Sequence, residues 1–101
     1  MKIERIHISS EGTGEYGPIE AFISDVVVVF DDQVKYAASF LSYGKIKMLI
    51  RENRLAGKCL SGKYFWMKNM VLIDRCKRED IELVIQDLLD EGDFKAVFRK
   101  L

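Results

Sequence analysis

Alternating and β-branched residues predict two strands before residue 31. Residues 2–8 alternate loosely, with Ile6 and Ile8 on one face, and predict a short strand at a sheet edge. Residues 19–30 end in four consecutive valines followed by Phe30. Because β-branched side chains are stiff at χ1, this run favours a strand over a helix. Its continuous apolar character indicates burial on both faces for part of its length.

A third strand is predicted over residues 34–42, after a polar connector of hairpin length at residues 31–33. The connector has no glycine, so a three-residue or bulged loop is favoured over an ideal two-residue turn. In a strand, Val34, Tyr36, Ala38 and Phe40 share one face. A helix over residues 34–43 is the alternative, because the alanines there tolerate it.

The first amphipathic helix is predicted at residues 43–54. Ile46, Leu49 and Ile50 recur at helical spacing, while most of the charged residues around them face outward. Ser42 is a suitable N-cap, and Gly57 can end the helix in the left-handed conformation.

The second amphipathic helix begins close to Cys76, which takes the cap position although a thiol is a poor hydrogen-bond acceptor. Glu79 and Asp80 favour the helix N-terminus through the helix dipole. Its apolar stripe consists of Ile81, Val84, Ile85, Leu88 and Leu89. Gly92 stops the helix, and residues 93–101 predict a last short helical segment that packs on the core.

Between the helices, residues 64–74 predict either one long bent strand or two short strands broken near Lys68 and Asn69. The resulting order is β-β-β-α-β-α. This order predicts one α+β domain over residues 1–101, with a mainly antiparallel sheet of about four strands and two helices packed on one face.

Composition indicates a folded domain with an uneven charge distribution. The 101 residues are 49% hydrophobic and 32% charged, and they sum to a net charge of zero. Residues 1–33 carry two bases against seven acids, whereas residues 44–68 carry seven bases against the single acid Glu52. Surfaces of both signs suit protein partners better than bulk nucleic acid.

The expected compartment is the cytoplasm. No apolar run approaches the roughly 18 residues of a membrane helix, and the N-terminus has no signal-peptide pattern. Cys59 and Cys76 are the only cysteines, and two free thiols are favoured over a single disulfide.

Catalytic, metal and cofactor sites are not predicted. His7 is the only histidine and no Cys-x-x-Cys occurs, so a zinc site lacks a ligand set. Residues 12–17 fit the spacing Gly-x-Gly-x-x-Gly, but the valine strand follows where a phosphate loop requires a helix. The adjacent acids Asp31 and Asp32 point apart on a turn and are interpreted as solvated rather than as a metal or acid–base pair.

Two surfaces are candidates for binding. The glycine-rich residues 9–18 predict a surface loop, and with the hairpin turn they form an acidic front whose candidate binding residues are Glu11, Glu15, Tyr16, Glu20, Asp31 and Asp32. The anion-binding candidates on and after the first helix are Lys45, Lys47, Arg51, Arg54, Lys58 and Lys63. With the exposed aromatic candidates Tyr64 and Trp66, these bases support the alternative of a small nucleic-acid-binding regulator.

Three segments carry a resemblance to a known class. Phe30-Asp-Asp-Gln-Val-Lys-Tyr-Ala-Ala-Ser-Phe40, residues 62–74 and residues 80–94 resemble small, uncharacterised bacterial single-domain proteins of the toxin-immunity type. The resemblance implies a non-enzymatic protein that binds a cognate toxin of a polymorphic or contact-dependent growth-inhibition system. Many such toxins are nucleases with basic active sites, which the acidic front would complement, with Tyr16 as an anchor.

Overall fold

Strands from both ends of the chain form one sheet in the computed structural model, which describes residues 2–9 and 23–101. The strands in this part of the chain are β1 (Ile3–Ile8), β2 (Ile23–Phe30), β3 (Lys35–Ser42), β4 (Met70–Ile73) and β5 (Arg99–Lys100). The helical elements are α1 (Tyr43–Ala56), α2 (Cys59–Gly62), α3 (Arg78–Glu91) and α4 (Phe94–Val97). The α+β class with a mainly antiparallel sheet is confirmed, and residues 35–42 form a strand rather than the alternative helix.

Both remaining strands share the free edge of β3. β1, β2 and β3 pair antiparallel in sequence order. β4 then runs parallel to the second half of β3, with Ser39 opposite Met70. β5 runs antiparallel to its first half, with Ala37 opposite Arg99. The parallel pair arises because α1 and α2 carry the chain back to the same end of the sheet before β4 begins.

A β-bulge in β1 adds one residue to the core face. The pairing with β2 shifts register between Ile3 and Arg5. Since one extra residue reverses the side-chain alternation, Ile3 joins Ile6 against the core. The expected placement of Ile6 and Ile8 on one face is observed, and Ile8 is buried.

The core lies between one sheet face and α3 with α4. Alternate residues of β2 and β3 supply the sheet side of this core, and they are Val26, Val28, Phe30, Tyr36, Ala38 and Phe40. Ile81 and Ile85 of α3, both fully buried, cover them. Phe94 and Phe98, from the start and end of α4, complete the layer.

The two long helices do not share the sheet face that was expected of them. α3 packs on the core, but α1 has no buried residue and contributes none to the core cluster. The reason is that α3, Phe94 and Phe98 already fill the available face, and α1 packs instead on α2. The fold is accordingly elongated, with a radius of gyration of 14.6 Å, where about 13 Å is usual for this length.

Three local expectations need correction. α3 begins after the N-cap Lys77, and the thiol of Cys76 is buried and donates to the carbonyl of Phe40 at 3.6 Å. Residues 63–69 do not form a strand, and β4 begins only at Met70. The expected terminal helix is the short α4, after which residues 99–100 pair with β3, and the Leu101 amide donates to the carbonyl of Lys35 at 2.9 Å.

Asn69 joins the two strands that share the edge of β3. Its backbone has a positive φ of 56°, and its carbonyl accepts from the Ser39 amide at 2.9 Å. Its side-chain amide donates to the carbonyl of Val97 at 2.7 Å, just before β5. Asparagine tolerates the left-handed region better than most residues, so it can adopt this positive φ and also donate the hydrogen bond to Val97.

Asn69→Asp keeps the shape and the tolerance of positive φ but places a carboxylate oxygen against the carbonyl of Val97. We expect the free energy of unfolding at neutral pH to fall by about 1–3 kcal/mol, because the donor is replaced by an acceptor. Urea unfolding measures this change. At acidic pH the protonated carboxyl regains a donor, so the loss should shrink.

Asn53→Asp is the matched control, since no hydrogen bond from its side chain is found within residues 2–9 and 23–101. This substitution should lower the free energy of unfolding by no more than about 1 kcal/mol, because it places a negative charge near the C-terminus of α1. Equal losses for the two variants, or a loss at Asn69 that is the same at both pH values, would contradict the bridging role.

Candidate functional site

The segment between β3 and β4 projects from the sheet, and we call residues 43–68 the arm. α1 forms its first half and begins at Ser42, whose hydroxyl accepts from the Lys45 amide at 3.1 Å. Gly57 ends the helix with φ 72°, and the Lys58 amide donates to the carbonyl of Asn53 at 2.9 Å. The N-cap and the left-handed C-cap expected for this helix are therefore both present.

A left-handed helical turn at α2 packs against α1. Cys59, Leu60 and Ser61 have φ values of 52°, 52° and 56°. This conformation is costly for residues other than glycine, and it is held by a 3.0 Å hydrogen bond from the Lys63 amide to the carbonyl of Cys59. A Cβ at Gly62 would lie 2.8 Å from the carbonyl oxygen of Ile50, so glycine lets the turn approach α1 closely.

The apolar stripe of α1 only partly leaves water. Ile46, Leu49 and Ile50 are half-buried, in agreement with their helical spacing. Met48 and Leu55 are seven residues apart on the opposite side of the helix, and both are exposed. Arg51 lies three residues after Met48 and four before Leu55, so it is their neighbour on that exposed side.

Large exposed apolar side chains concentrate on the arm. In the described part of the chain ten such side chains are exposed, and six of them belong to the arm: Tyr43, Met48, Leu55, Leu60, Tyr64 and Trp66. Leu55 retains 83% of its accessible surface, Leu60 71% and Trp66 68%. Phe65, between the exposed Tyr64 and Trp66, is half-buried. Such a concentration is unusual for a surface that remains in water.

Cations surround these apolar side chains. Lys47, Arg51, Arg54, Lys58 and Lys63 are exposed, and Lys45 is half-buried. Within residues 2–9 and 23–101 none of the six forms an ion pair. Glu52 is the only acid between residues 43 and 68. The arm therefore combines an apolar surface with an uncompensated positive potential.

The acidic candidates that the structure describes lie at the far end of β3 from the arm. Asp31 and Asp32 are exposed in the turn between β2 and β3, and the carboxylate of Asp32 accepts from the Val34 amide at 3.0 Å. β3 has eight residues, so the turn and the start of α1 are about 26 Å apart at the usual rise of a strand. The candidates Glu11, Glu15, Tyr16 and Glu20 lie outside the described residues, as does the glycine-rich motif.

The sheet face that points away from α3 carries two shallow grooves. One, of about 420 Å³, is lined by Asp25, Ser39, Lys68 and Arg99 among others. The Ser39 hydroxyl donates a hydrogen bond to the carboxylate of Asp25 at 2.9 Å, so the carboxylate in this groove already has a partner. The other, of about 390 Å³, includes Arg5, His7 and Lys35. Neither groove contains a grouping of nucleophile, base and oxyanion donors.

Thiol and metal chemistry have little support in the described residues. No group of three or more His, Cys, Asp and Glu side chains within residues 2–9 and 23–101 could hold a metal ion. Cys59 is half-buried and Cys76 is buried, and both are free thiols. Burial raises the pKa of the Cys76 thiol, and the nearby polar groups of Ser24 and Ser42 offset this only in part. Cys76 is therefore protonated and unreactive at neutral pH.

Met48, Leu55 and Leu60 are the functional candidates that the sequence reasoning missed. The seven-residue spacing of Met48 and Leu55, away from the stripe of α1, was the available signal. No local pattern marks Leu60, because its exposure follows from the left-handed turn. Among the described helices, none is long and apolar enough to cross a membrane.

Comparison of the chain with protein-family models, with curated proteins and with solved structures finds no match. Its surfaces therefore have to be interpreted from their own chemistry.

The two thiols should differ in reactivity. In the folded protein we expect iodoacetamide to modify Cys59 and to leave Cys76 unmodified until the chain unfolds, because Cys76 is buried and its pKa is raised. Mass spectrometry of the intact protein measures the number of additions. Rapid modification of Cys76 in the folded state would contradict a purely structural role.

The raised pKa also predicts a pH dependence of stability. The unfolded chain loses the Cys76 proton first, at about pH 8.5, so the free energy of unfolding should fall as pH rises from there through the folded pKa. Cys76→Ala should remove this part of the decrease in the free energy of unfolding at alkaline pH, whereas Cys59→Ala should retain it. Unfolding in urea across that pH range checks both variants.

Proposed function

We propose that this chain is a non-enzymatic protein-binding module and that the arm is its binding surface. The observation that carries the proposal is the exposure of large apolar side chains, led by Leu55, Leu60 and Trp66, among cations that lack ion pairs. Burying apolar surface is favourable by about 25 cal/mol per Å². A partner that covers the arm would gain this free energy, because these side chains remain exposed in the folded chain.

The composition of the arm suits a protein partner. Specific interfaces combine an apolar centre with a polar rim, and tryptophan, tyrosine and arginine dominate their binding energy. Trp66 and Tyr64 supply large rings, and Arg51 lies beside Met48 and Leu55. The positive potential favours a partner whose rim is acidic, because complementary charges accelerate association and exclude wrong partners.

In its more specific form, the proposal is that the partner is a cognate bacterial toxin domain and that the chain acts as an immunity protein in the cytoplasm. The resemblance described above motivates this form, and the acidic turn adds to it. Asp31 and Asp32 are exposed and are held at the opposite end of the sheet from the arm. They would complement a cationic nuclease site. The proposal assigns the same role to Glu11, Glu15, Tyr16 and Glu20, which lie outside the described residues. Neutralisation requires only stoichiometric coverage of the toxin's active site.

The test starts with any toxin-like reading frame found next to this gene, whose product is the partner to purify. We expect the purified pair to form a one-to-one complex and co-expression to restore growth. Trp66→Ala and Leu55→Ala should each weaken the complex about tenfold or more, because truncated central residues typically cost above 1 kcal/mol. Calorimetry measures affinity, and circular dichroism checks the fold of each variant.

Leu83→Ala is the matched control, since Leu83 is 69% exposed but lies on α3. Its affinity should equal that of the unsubstituted chain. Unchanged affinity in both arm variants would show that the arm is not the interface. Absence of any complex would overturn the immunity function. Asp31→Lys with Asp32→Lys should slow association if the acidic turn faces the toxin.

A nucleic-acid-binding regulator is the second candidate, favoured by one observation. Tyr43, Tyr64 and Trp66 are exposed on the same arm as the unpaired cations. Bases stack on such rings while cations contact phosphates. Fluorescence anisotropy with a labelled single-stranded oligonucleotide tests it, because the logarithm of affinity should fall linearly with the logarithm of salt concentration. Lys47→Glu with Arg51→Glu should abolish binding, and a chain that shows no binding at low salt would exclude this function.

A further inference from the structure

The outer edge of β4 has unpaired backbone groups. The Ser39 amide bonds to the carbonyl of Asn69, and β4 then pairs with β3 in parallel. Successive residues of a strand direct their N–H and C=O groups to opposite edges, so those of Met70 and Leu72 point away from β3. Within residues 2–9 and 23–101 these groups bond to no other backbone or side-chain atom.

This edge is also apolar. β4 has the sequence Met-Val-Leu-Ile, with no charge, glycine or proline, and Leu72 is 45% exposed. Native proteins normally protect sheet edges with charges, bulges or covering groups. The opposite edge has all three protections: β1 carries Glu4 and Arg5, it is bulged, and the Arg78 guanidinium donates to the carbonyl of Ile6 at 2.9 Å. Within residues 2–9 and 23–101, the edge of β4 has none of them.

We propose that β4 pairs antiparallel with β4 of a second copy of this chain, about a two-fold axis through Val71. In that register Met70 of each copy lies opposite Leu72 of the other. These are the residues whose backbone groups point outward, so the pair closes with four N–H···O=C hydrogen bonds. The two sheets become continuous, with both cores on the same side, and the exposed side chain of Leu72 packs beside Met70.

The flanking charges favour a second copy over an unrelated strand. Lys68 precedes the strand by two residues and Asp74 follows it directly, and both are exposed. Lys68 lies in the turn before one end of the strand and Asp74 lies at the other end. An antiparallel two-fold through Val71 therefore places the Lys68 end of each copy beside the Asp74 end of the other, twice per dimer. A shift by one residue would oppose Met70 to Ile73, whose backbone groups point at β3, and a two-fold through Leu72 would separate the charges.

The expected dimer is weak and depends on concentration. Two four-residue strands bury less area than a standard protein interface. The pairing uses none of the exposed apolar residues that the proposed function assigns to partner binding, and its only residue from the arm is the terminal Lys68. Dimer formation and partner binding can therefore succeed or fail separately.

Charge exchange tests both the edge and the register. Lys68→Asp and Asp74→Lys should each weaken the dimer by about tenfold, because each replaces two attractive pairs by two repulsive ones. An equimolar mixture of the two variants should restore the affinity, since both pairs become attractive again in the mixed dimer. Sedimentation equilibrium measures each dissociation constant. Lys95→Asp and Asp87→Lys, at exposed helical positions, are the matched controls and should leave the dimer unchanged.

Hydrogen exchange of the unsubstituted chain gives an independent readout. The amides of Met70 and Leu72 should become protected as concentration rises, whereas the Val71 amide, bonded to β3, should be protected throughout. Leu72→Lys should abolish association, and Leu83→Lys on α3 should not. A chain that stays monomeric to about 1 mM, a dimer insensitive to both charge variants, or a mixture that does not recover would each overturn the proposal.

Discussion

The aromatic contacts around Phe94 hold the C-terminal segment against the hairpin of β2 and β3. Its ring lies 5.6 Å from that of Phe30 and 5.3 Å from that of Tyr36, both in edge-to-face geometry, and it stacks on Phe98 at 4.4 Å. Phe30 and Tyr36 flank the turn between β2 and β3, so the C-terminal segment closes over that hairpin. Removing one such ring typically costs about 3–5 kcal/mol, against a total stability of about 5–15 kcal/mol for a domain.

This aromatic layer explains why the arm lies outside the core. With α3, Phe94 and Phe98 covering the sheet, no core position remains for α1, whose stripe packs only partly against the left-handed turn α2. The apolar side chains of the arm therefore remain in water, beside cations without partners. This exposed surface is the observation on which the proposed binding function rests.

The same closure determines the free edge. β5 reaches β3 because Phe94 and Phe98 bring the C-terminus there, and it takes the half of β3 that β4 leaves open. Asn69 bonds to both sides of this junction. In the part of the chain that the structure describes, β4 is thus paired along one edge and unpaired along the other, which is the condition for pairing with a second strand. The arm and the edge are two products of one packing arrangement.

Local chemistry in the sequence was enough to predict the α+β class, the hairpin of β2 and β3, and the ends of α1. Ser42 and Gly57 cap α1 through hydrogen bonds to residues only a few positions away. The apolar run of residues 26–30 and the helical spacing of residues 81–89 reflect which positions are buried. The parallel direction of β4, the conversion of residues 99–100 to a strand, and the exposure of Leu60 were decided by tertiary structure alone. The pairings of β4 and β5 rest on contacts between residues far apart in the chain, and the turn that exposes Leu60 rests on its close approach to α1, so no local pattern reveals them.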